Sequence, residues 1–177
     1  MTTKNLSASL SVFDALQKQR TDLNTELEAN SREQAAAVEV AAGPNDEKAL
    51  ARLAILARQE AALRHKLKIL ERERSGLAAK VLNEATELRK AVIGDLLKRR
   101  TELESRLDQD LAELYPEPKR RKKAIARLNP APVALHELGR RISGLSSCAF
   151  FPEQTDEFSY ARQILGACER AIAQCLD

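Results

Sequence analysis

Four side chains in the last third of the chain have the types of a zinc centre. His136, Cys148, Cys168 and Cys175 together offer one imidazole and three thiols. Structural zinc sites take four such donors in a tetrahedron, usually brought in as closely spaced pairs. Here no Cys-x-x-Cys and no His-x-x-x-His pair anchors the set. Cys168 and Cys175 are seven residues apart and share one face of a helix, so small buried thiols are the expectation, with no metal and no other cofactor. His65 stands between Arg64 and Lys66 beside Leu63 and Leu67, and reads as a surface histidine. The chain contains no Gly-x-Gly-x-x-Gly, no phosphate loop and no His-Glu-x-x-His, the short patterns that bind dinucleotides, triphosphates and catalytic zinc. Its many carboxylates suit solvated helix faces. No catalytic residue, enzyme activity or small-molecule substrate is expected.

A second cluster is cationic: Lys119, Arg120, Arg121, Lys122 and Lys123 are consecutive. The net charge of the whole chain is +3, so outside this run the balance is acidic and the basic character is local. Such runs serve nuclear import, bind nucleic acid, or simply form the solvated face of a short helix. No aromatic residue interleaves with the run, which argues against stacking on single-stranded bases. Direct nucleic-acid binding is not expected. The five residues are a nuclear-import candidate, with a cytoplasmic location as the alternative.

The elements that hold these clusters are helical. Charged residues make up 31% of the chain and aromatics 3%, with no Trp. That composition favours Leu and Ala packed in narrow helix seams over a bulky aromatic core. No apolar run approaches the ~20 residues of a membrane span. The N-terminus MTTKNLSASL lacks a basic segment followed by an apolar core, so no secretory signal is expected. Three late cysteines fit a reducing compartment better than a disulfide framework.

From Phe13 a seam runs through Leu16, Arg20, Leu23, Leu27, Asn30, Gln34, Ala37 and Ala41, in alternating steps of three and four. That is the heptad signature, with Ser9 or Ser11 as the expected cap. The polar Asn30 and Gln34 at core-type positions cost stability but fix register. After Gly43-Pro44-Asn45-Asp46 the seam resumes at Leu53, Leu56, Glu60, Leu63, Leu67, Leu70, Arg74, Leu77 and Val81. It continues through Ala85, Leu88, Val92, Leu96, Arg99, Leu103, Leu107, Asp110 and Leu114 at a spacing nearer an eleven-residue repeat, which relaxes the left-handed supercoil. Gly43 suits a helix C-terminus, Pro44 cannot continue one, and Asn45 or Asp46 can start the next. So short a linker favours antiparallel neighbours.

The fold class expected is therefore all-α. A long lopsided antiparallel helical hairpin, a coiled coil, occupies residues 1–115 with its turn at 43–46. A Pro/basic linker with a short helix follows over 116–131, then a small C-terminal helical hook over 132–177. The first arm is roughly 37 residues, ~55 Å, and the second roughly 69, ~100 Å. Folding back sets Leu6 level with about Asn83, so the stripe Leu88, Val92, Leu96, Leu103, Leu107, Leu111 and Leu114 finds no partner on the first arm. At ~1.5 to 3 kcal/mol per buried Leu or Val, on the order of 10 kcal/mol goes unused. Either the C-terminal segment or another protein covers the stripe, and the expectation is a partner protein. Within the hook, Leu135, Leu138, Ile142 and Leu145 suit a helix from near Pro132. CAFFPEQTDE is a loop with a buried-looking Phe150-Phe151 pair. Thr155 or Asp156 caps a last helix carrying Phe158, Ile164, Leu165, Cys168, Ile172 and Leu176.

The block RRIS at Arg140 to Ser143, the aromatic loop with Pro152, the pair Thr155-Asp156 and the run Arg162, Gln163, Ile164, Leu165 and Gly166 follow a long coiled coil in that order. This order resembles the family of subunit 4 of the Mediator complex, in its middle module. The resemblance implies a nuclear, non-enzymatic subunit that links transcription regulators to RNA polymerase II. Its hairpin would pair with Mediator subunit 9, and its hook would meet other middle-module subunits through residues such as Arg141, Phe150 and Phe151. A tethering, kinetochore or cytoskeletal coiled-coil subunit is the alternative, as is the stalk protein of a type III export ATPase.

Overall fold

None of the seam residues from Phe13 to Ala41, or from Leu53 to Val81, is exposed. The computed structural model describes residues 3–41, 47–121, 133–153 and 155–173. Among these there are five helices and no strand. α1 spans Thr3–Ala41 and α2 spans Glu47–Leu114, 39 and 68 residues long. α3 is described over residues 118–121. α4 is Val133–Ser147 and α5 is Glu157–Ala173. The expected turn residues Gly43, Pro44, Asn45 and Asp46 lie outside the described residues.

Two units divide the chain. The first is Ala8–Lys80, a two-helix layer made of most of α1 and the first half of α2. Its antiparallel register is written in cross-helix contacts. Asn30 Nδ2 donates to Gln59 Oε1 at 3.3 Å and Gln34 Nε2 donates to Glu60 Oε2 at 2.8 Å, while within α1 Gln34 Nε2 also donates to Asn30 Oδ1 at 2.8 Å. The Arg74 guanidinium lies 5.6 Å from the centre of the Phe13 ring, near enough for a cation–π contact. An exposed pair of Glu33 and Arg52, at 3.2 Å, adds little to stability. Each Asn and Gln of the polar layer meets its match only in this alignment, so a slip along the seam would leave part-buried amides unpaired.

α1 starts earlier than the expected Ser9 or Ser11 cap. Ser9 is itself buried within the helix, because Leu6, Leu10 and Phe13 extend the three-four spacing toward the N-terminus and all three are buried.

The second unit joins Met1–Ser7 to the chain from Val81 onward. This differs from the expected boundaries, which set residues 132–177 apart as a hook on a bare rod. The second half of α2 belongs to the same unit as α4 and α5, and it carries a buried line of Val81, Ala85, Leu88, Val92 and Leu96. α4 buries Leu138 and Leu145, seven residues apart on one face. α5 buries Phe158, Ala161, Ile164, Cys168 and Ala171 at helical spacing. α2 ends where Pro116 and Pro118 deny further backbone donors. The Arg121 side chain folds back there and donates to the carbonyls of Tyr115 at 2.8 Å and Pro116 at 3.1 Å.

Asp156 caps α5, as the sequence indicates. Its Oδ1 accepts from the backbone N–H of Phe158 and of Ser159, both at 3.0 Å, and its Oδ2 accepts from the Ser159 hydroxyl at 2.7 Å. The Ser159 bonds, aided by that of Phe158, hold the Asp156 carboxyl below its ordinary value. Its folded value is depressed, so its contribution is present above the unfolded-chain value and is lost as pH falls through the folded one. Asp156→Ala should cost about 1 kcal/mol in denaturant unfolding at neutral pH. The difference from the parent chain should shrink as the buffer is taken toward strong acid.

Candidate interaction surfaces

The expected partner stripe on α2 is largely closed. Leu88, Val92, Leu96 and Leu111 are buried within the chain, and Leu103 and Leu107 are half-buried. Leu114 alone stands open, at 72% exposure. The expectation that all seven await another protein is therefore corrected: most of the stripe is covered by this chain. The covered line also shifts after Leu96. Arg99 and Asp110 are exposed, and the withdrawn positions become Leu103, Leu107 and Leu111 in steps of four.

Arg89 ties the second half of α2 to the C-terminal helices. Its Nη1 donates to the backbone carbonyl of Cys148, just past α4, and to Tyr160 Oη on α5 at 3.2 Å. Among the described residues its buried Nε has no hydrogen-bond partner. Tyr160 is also in contact with Phe150, with ring centres 5.2 Å apart and planes tilted by 57°, an arrangement favoured by the ring quadrupoles. This splits the expected Phe150-Phe151 pair. Phe150 is half-buried on Tyr160, whereas Phe151 is 54% exposed and is not a core residue. Successive residues of an irregular segment point different ways, so two adjacent rings rarely enter one pocket.

Arg140 and Arg141 of the RRIS block share one carboxylate. Glu137 Oε1 lies 2.7 Å from Arg140 Nη2 and 3.1 Å from Arg141 Nε. Hydrogen bonds from Arg140 and then Arg141 lower the Glu137 carboxyl to about 2. Arg141 is the withdrawn member, its side chain 15% exposed against 69% for Arg140.

Of the basic run, Lys119 and Arg120 are exposed. Arg120 pairs with Glu117 at 3.0 Å, and Arg121 is occupied by the end of α2 as described above. Lys122 and Lys123 lie outside the described residues. An unbroken row of five free cations is thus reduced at Arg121, whose donors serve the backbone.

No protein-family model, curated protein or solved structure matches this chain. The surfaces must be read from their own chemistry.

Among the described residues, no group of three His, Cys, Asp or Glu side chains is placed to hold a metal ion. His65 and His136 are both exposed. Cys148 and Cys168 are free thiols, and Cys175 lies outside the described residues. Burial, and then the neighbouring Cys148, push the Cys168 thiol up to about 11. A thiol so rarely ionised is a poor nucleophile.

Three features escaped the sequence reading. Arg89 follows a seam leucine and looks like any solvated arginine. A groove flanks the hairpin seam, lined by Ala36, Ala37 and Val40 of α1 and by Ala49 and Arg52 of α2. It becomes visible only once the register is known. A second groove lies between α4 and α5 and draws arginines from both helices.

Arg89→Met keeps the length of the side chain but removes its donors. It leaves the Cys148 carbonyl and the Tyr160 hydroxyl without their cationic partner, which should destabilise the chain by about 2 kcal/mol. Denaturant unfolding measures the loss, and amide exchange should quicken at residues 148–151 while residues 8–80 keep theirs.

Proposed function

We propose that this chain is a non-enzymatic helical scaffold subunit of a multiprotein assembly. One observation carries the reading: the hairpin layer cannot finish its own core. Leu16, Leu23 and Leu27 of α1, and Leu53, Leu63, Leu67 and Leu77 of α2, face the seam yet remain half-buried. Beside them Val38, Val40, Leu50 and Ile55 are exposed. Two helices cover each other along one line only, and a third or fourth helix is what closes such a layer. Exposed apolar surface that borders an unfinished core marks a protein contact.

The finer reading is a Mediator middle-module subunit acting in RNA polymerase II transcription. It rests on the order of the RRIS block, the aromatic loop and the Thr155-Asp156 cap after a long coiled coil. In that reading the hairpin pairs with subunit 9, and the chain acts in the nucleus with exposed Lys119 and Arg120 as part of an import signal. A bare-hairpin role, such as an export-ATPase stalk, accounts poorly for helices that are hydrogen-bonded back to α2 through Arg89.

Val40 and Leu50 are 62% and 61% exposed, so their replacement should change folding by no more than about 0.5 kcal/mol each. The tagged chain should recover a stoichiometric helical partner from its own cells by quantitative mass spectrometry. Val40→Asp with Leu50→Asp should lose that partner while circular dichroism stays unchanged. Recovery of other middle-module subunits supports the finer reading, and a different assembly refutes it. An unmodified chain that purifies alone contradicts the scaffold reading itself.

A further inference from the structure

The groove that flanks the hairpin seam at Ala36 and Val40 of α1 and Lys48 of α2 does not end there. A neighbouring groove continues it between Ala29 of α1 and Ala62 of α2, and Glu33 lines both. The two make one continuous flank of the layer. Ile55 and Ile69 fall on the same flank, at helical steps of three and four from Arg52, Ala62 and Lys66, and they are 54% and 42% exposed. Val38 and Leu50 follow the buried seam residues Ala37 and Ala49 directly, so they stand on the opposite flank.

This flank is divided by sign and by size. Its α1 side presents Asp22, Glu26 and Glu33, with the small Ala29 and Ala36 among them. Its α2 side presents Lys48, Arg52 and Lys66, with the larger Ile55 and Ile69 among them. Glu33 and Arg52 already pair at 3.2 Å inside the chain, so the two of them are spoken for. Asp22, Glu26, Lys48 and Lys66 have no ion pair among the described residues. A flank of this kind is complementary to itself when a second copy is turned about a two-fold axis running along the helices. That axis lays the α1 side of each copy on the α2 side of the other, acid on base. The other face-to-face two-fold, across the helices, would set acid on acid and base on base. The axis along the helices also preserves height. Glu33 lies beside Arg52 and Phe13 beside Arg74 within the chain. Ile55 is therefore level with the interval between Ala29 and Ala36, and Lys66 with the turn that carries Asp22.

We infer that this flank binds a second copy of the chain: two hairpin layers close each other as a four-helix bundle, with Ile55 of each copy seated between Ala29 and Ala36 of the other and Lys66 paired with Asp22. Neighbouring helices of that bundle are antiparallel all the way round. Large side chains seated between small ones supply the contact area, and the charges fix the orientation and exclude the wrong pairing. The inference rests on the scaffold reading, whose unfinished hairpin core it completes on one flank, and it leaves the flank of Val38 and Leu50 to other proteins of the assembly.

Sedimentation equilibrium of the purified full chain over a concentration series is the test. The parent chain should form a dimer. Asp22→Lys with Glu26→Lys, and separately Lys48→Glu with Lys66→Glu, should each raise the dimer dissociation constant by about tenfold. An equimolar mixture of these two variants should dimerise again, since each then supplies the sign the other lacks. Both leave the pair of Glu33 and Arg52 untouched, and circular dichroism should not change. Ile55→Ala removes the seated side chain without altering a charge, favours the helix, and should weaken the dimer comparably. Leu50→Asp, on the opposite flank, should leave the dimer intact. A chain that stays monomeric, a dimer indifferent to the charge variants, or a mixture that fails to pair overturns the inference. So does a monomer that captures a different protein through Ile55. A purified monomer that still recovers a partner from its own cells sinks the self-association and spares the scaffold reading, whereas a dimer that recovers no other protein does the reverse.

Discussion

A 68-residue helix paired with one of 39 residues leaves apolar surface without a partner, and the arrangement of this chain follows from that mismatch. Each Leu or Val left in water forgoes roughly 1.5 to 3 kcal/mol of burial. The second half of α2 resolves the deficit inside the chain. Its line from Val81 to Leu96 is buried in the unit it shares with α4 and α5. Arg89 then fixes that unit by polar means, because its guanidinium reaches both the chain end of α4 and the tyrosine of α5. The C-terminal helices are thus part of the core and not an appendage.

The first half of α2 is treated differently. α1 lies along it with the register set by the Asn30, Gln34, Gln59 and Glu60 layer, yet the flanking leucines stay half in water. A polar layer trades stability for alignment. An aligned but unfinished seam is what a helical partner needs in order to add to it in one way. The two units accordingly have opposite characters, one closed on itself by aromatic and aliphatic packing, the other left open along its flanks.

The hairpin was legible in the sequence because its signal is periodic. The three-four spacing named the seam residues, and each of them from Phe13 to Val81 is withdrawn from solvent. The Asp156 cap was legible because an acidic residue before an apolar-periodic segment has a local reason to be there. What covers the Leu88 stripe was not legible. α4 and α5 show amphipathic faces, but an apolar face does not name the surface it will meet. Beyond Leu96 the expected Leu103 and Leu107 stay withdrawn while Arg99 is exposed and Leu111 lies inside in place of Asp110, because packing there follows the cover and not the repeat. Arg89 and the arginine groove draw on residues far apart in sequence, so no local spacing reveals them. The split of Phe150 from Phe151 depends on side-chain direction in an irregular segment, where periodicity gives no guide.

The central claim is that the second half of α2 folds as one body with α4 and α5, separately from the hairpin layer. Native-state hydrogen exchange on the full chain tests it most directly, because amides that open together belong to one cooperative unit. With increasing denaturant, the amides of residues 85–96 should lose protection in step with those of 158–168 and apart from those of 16–37 and 53–77. Exchange at 85–96 that tracks the hairpin and ignores α5, or that is as fast as in an uncovered helix, would contradict the account.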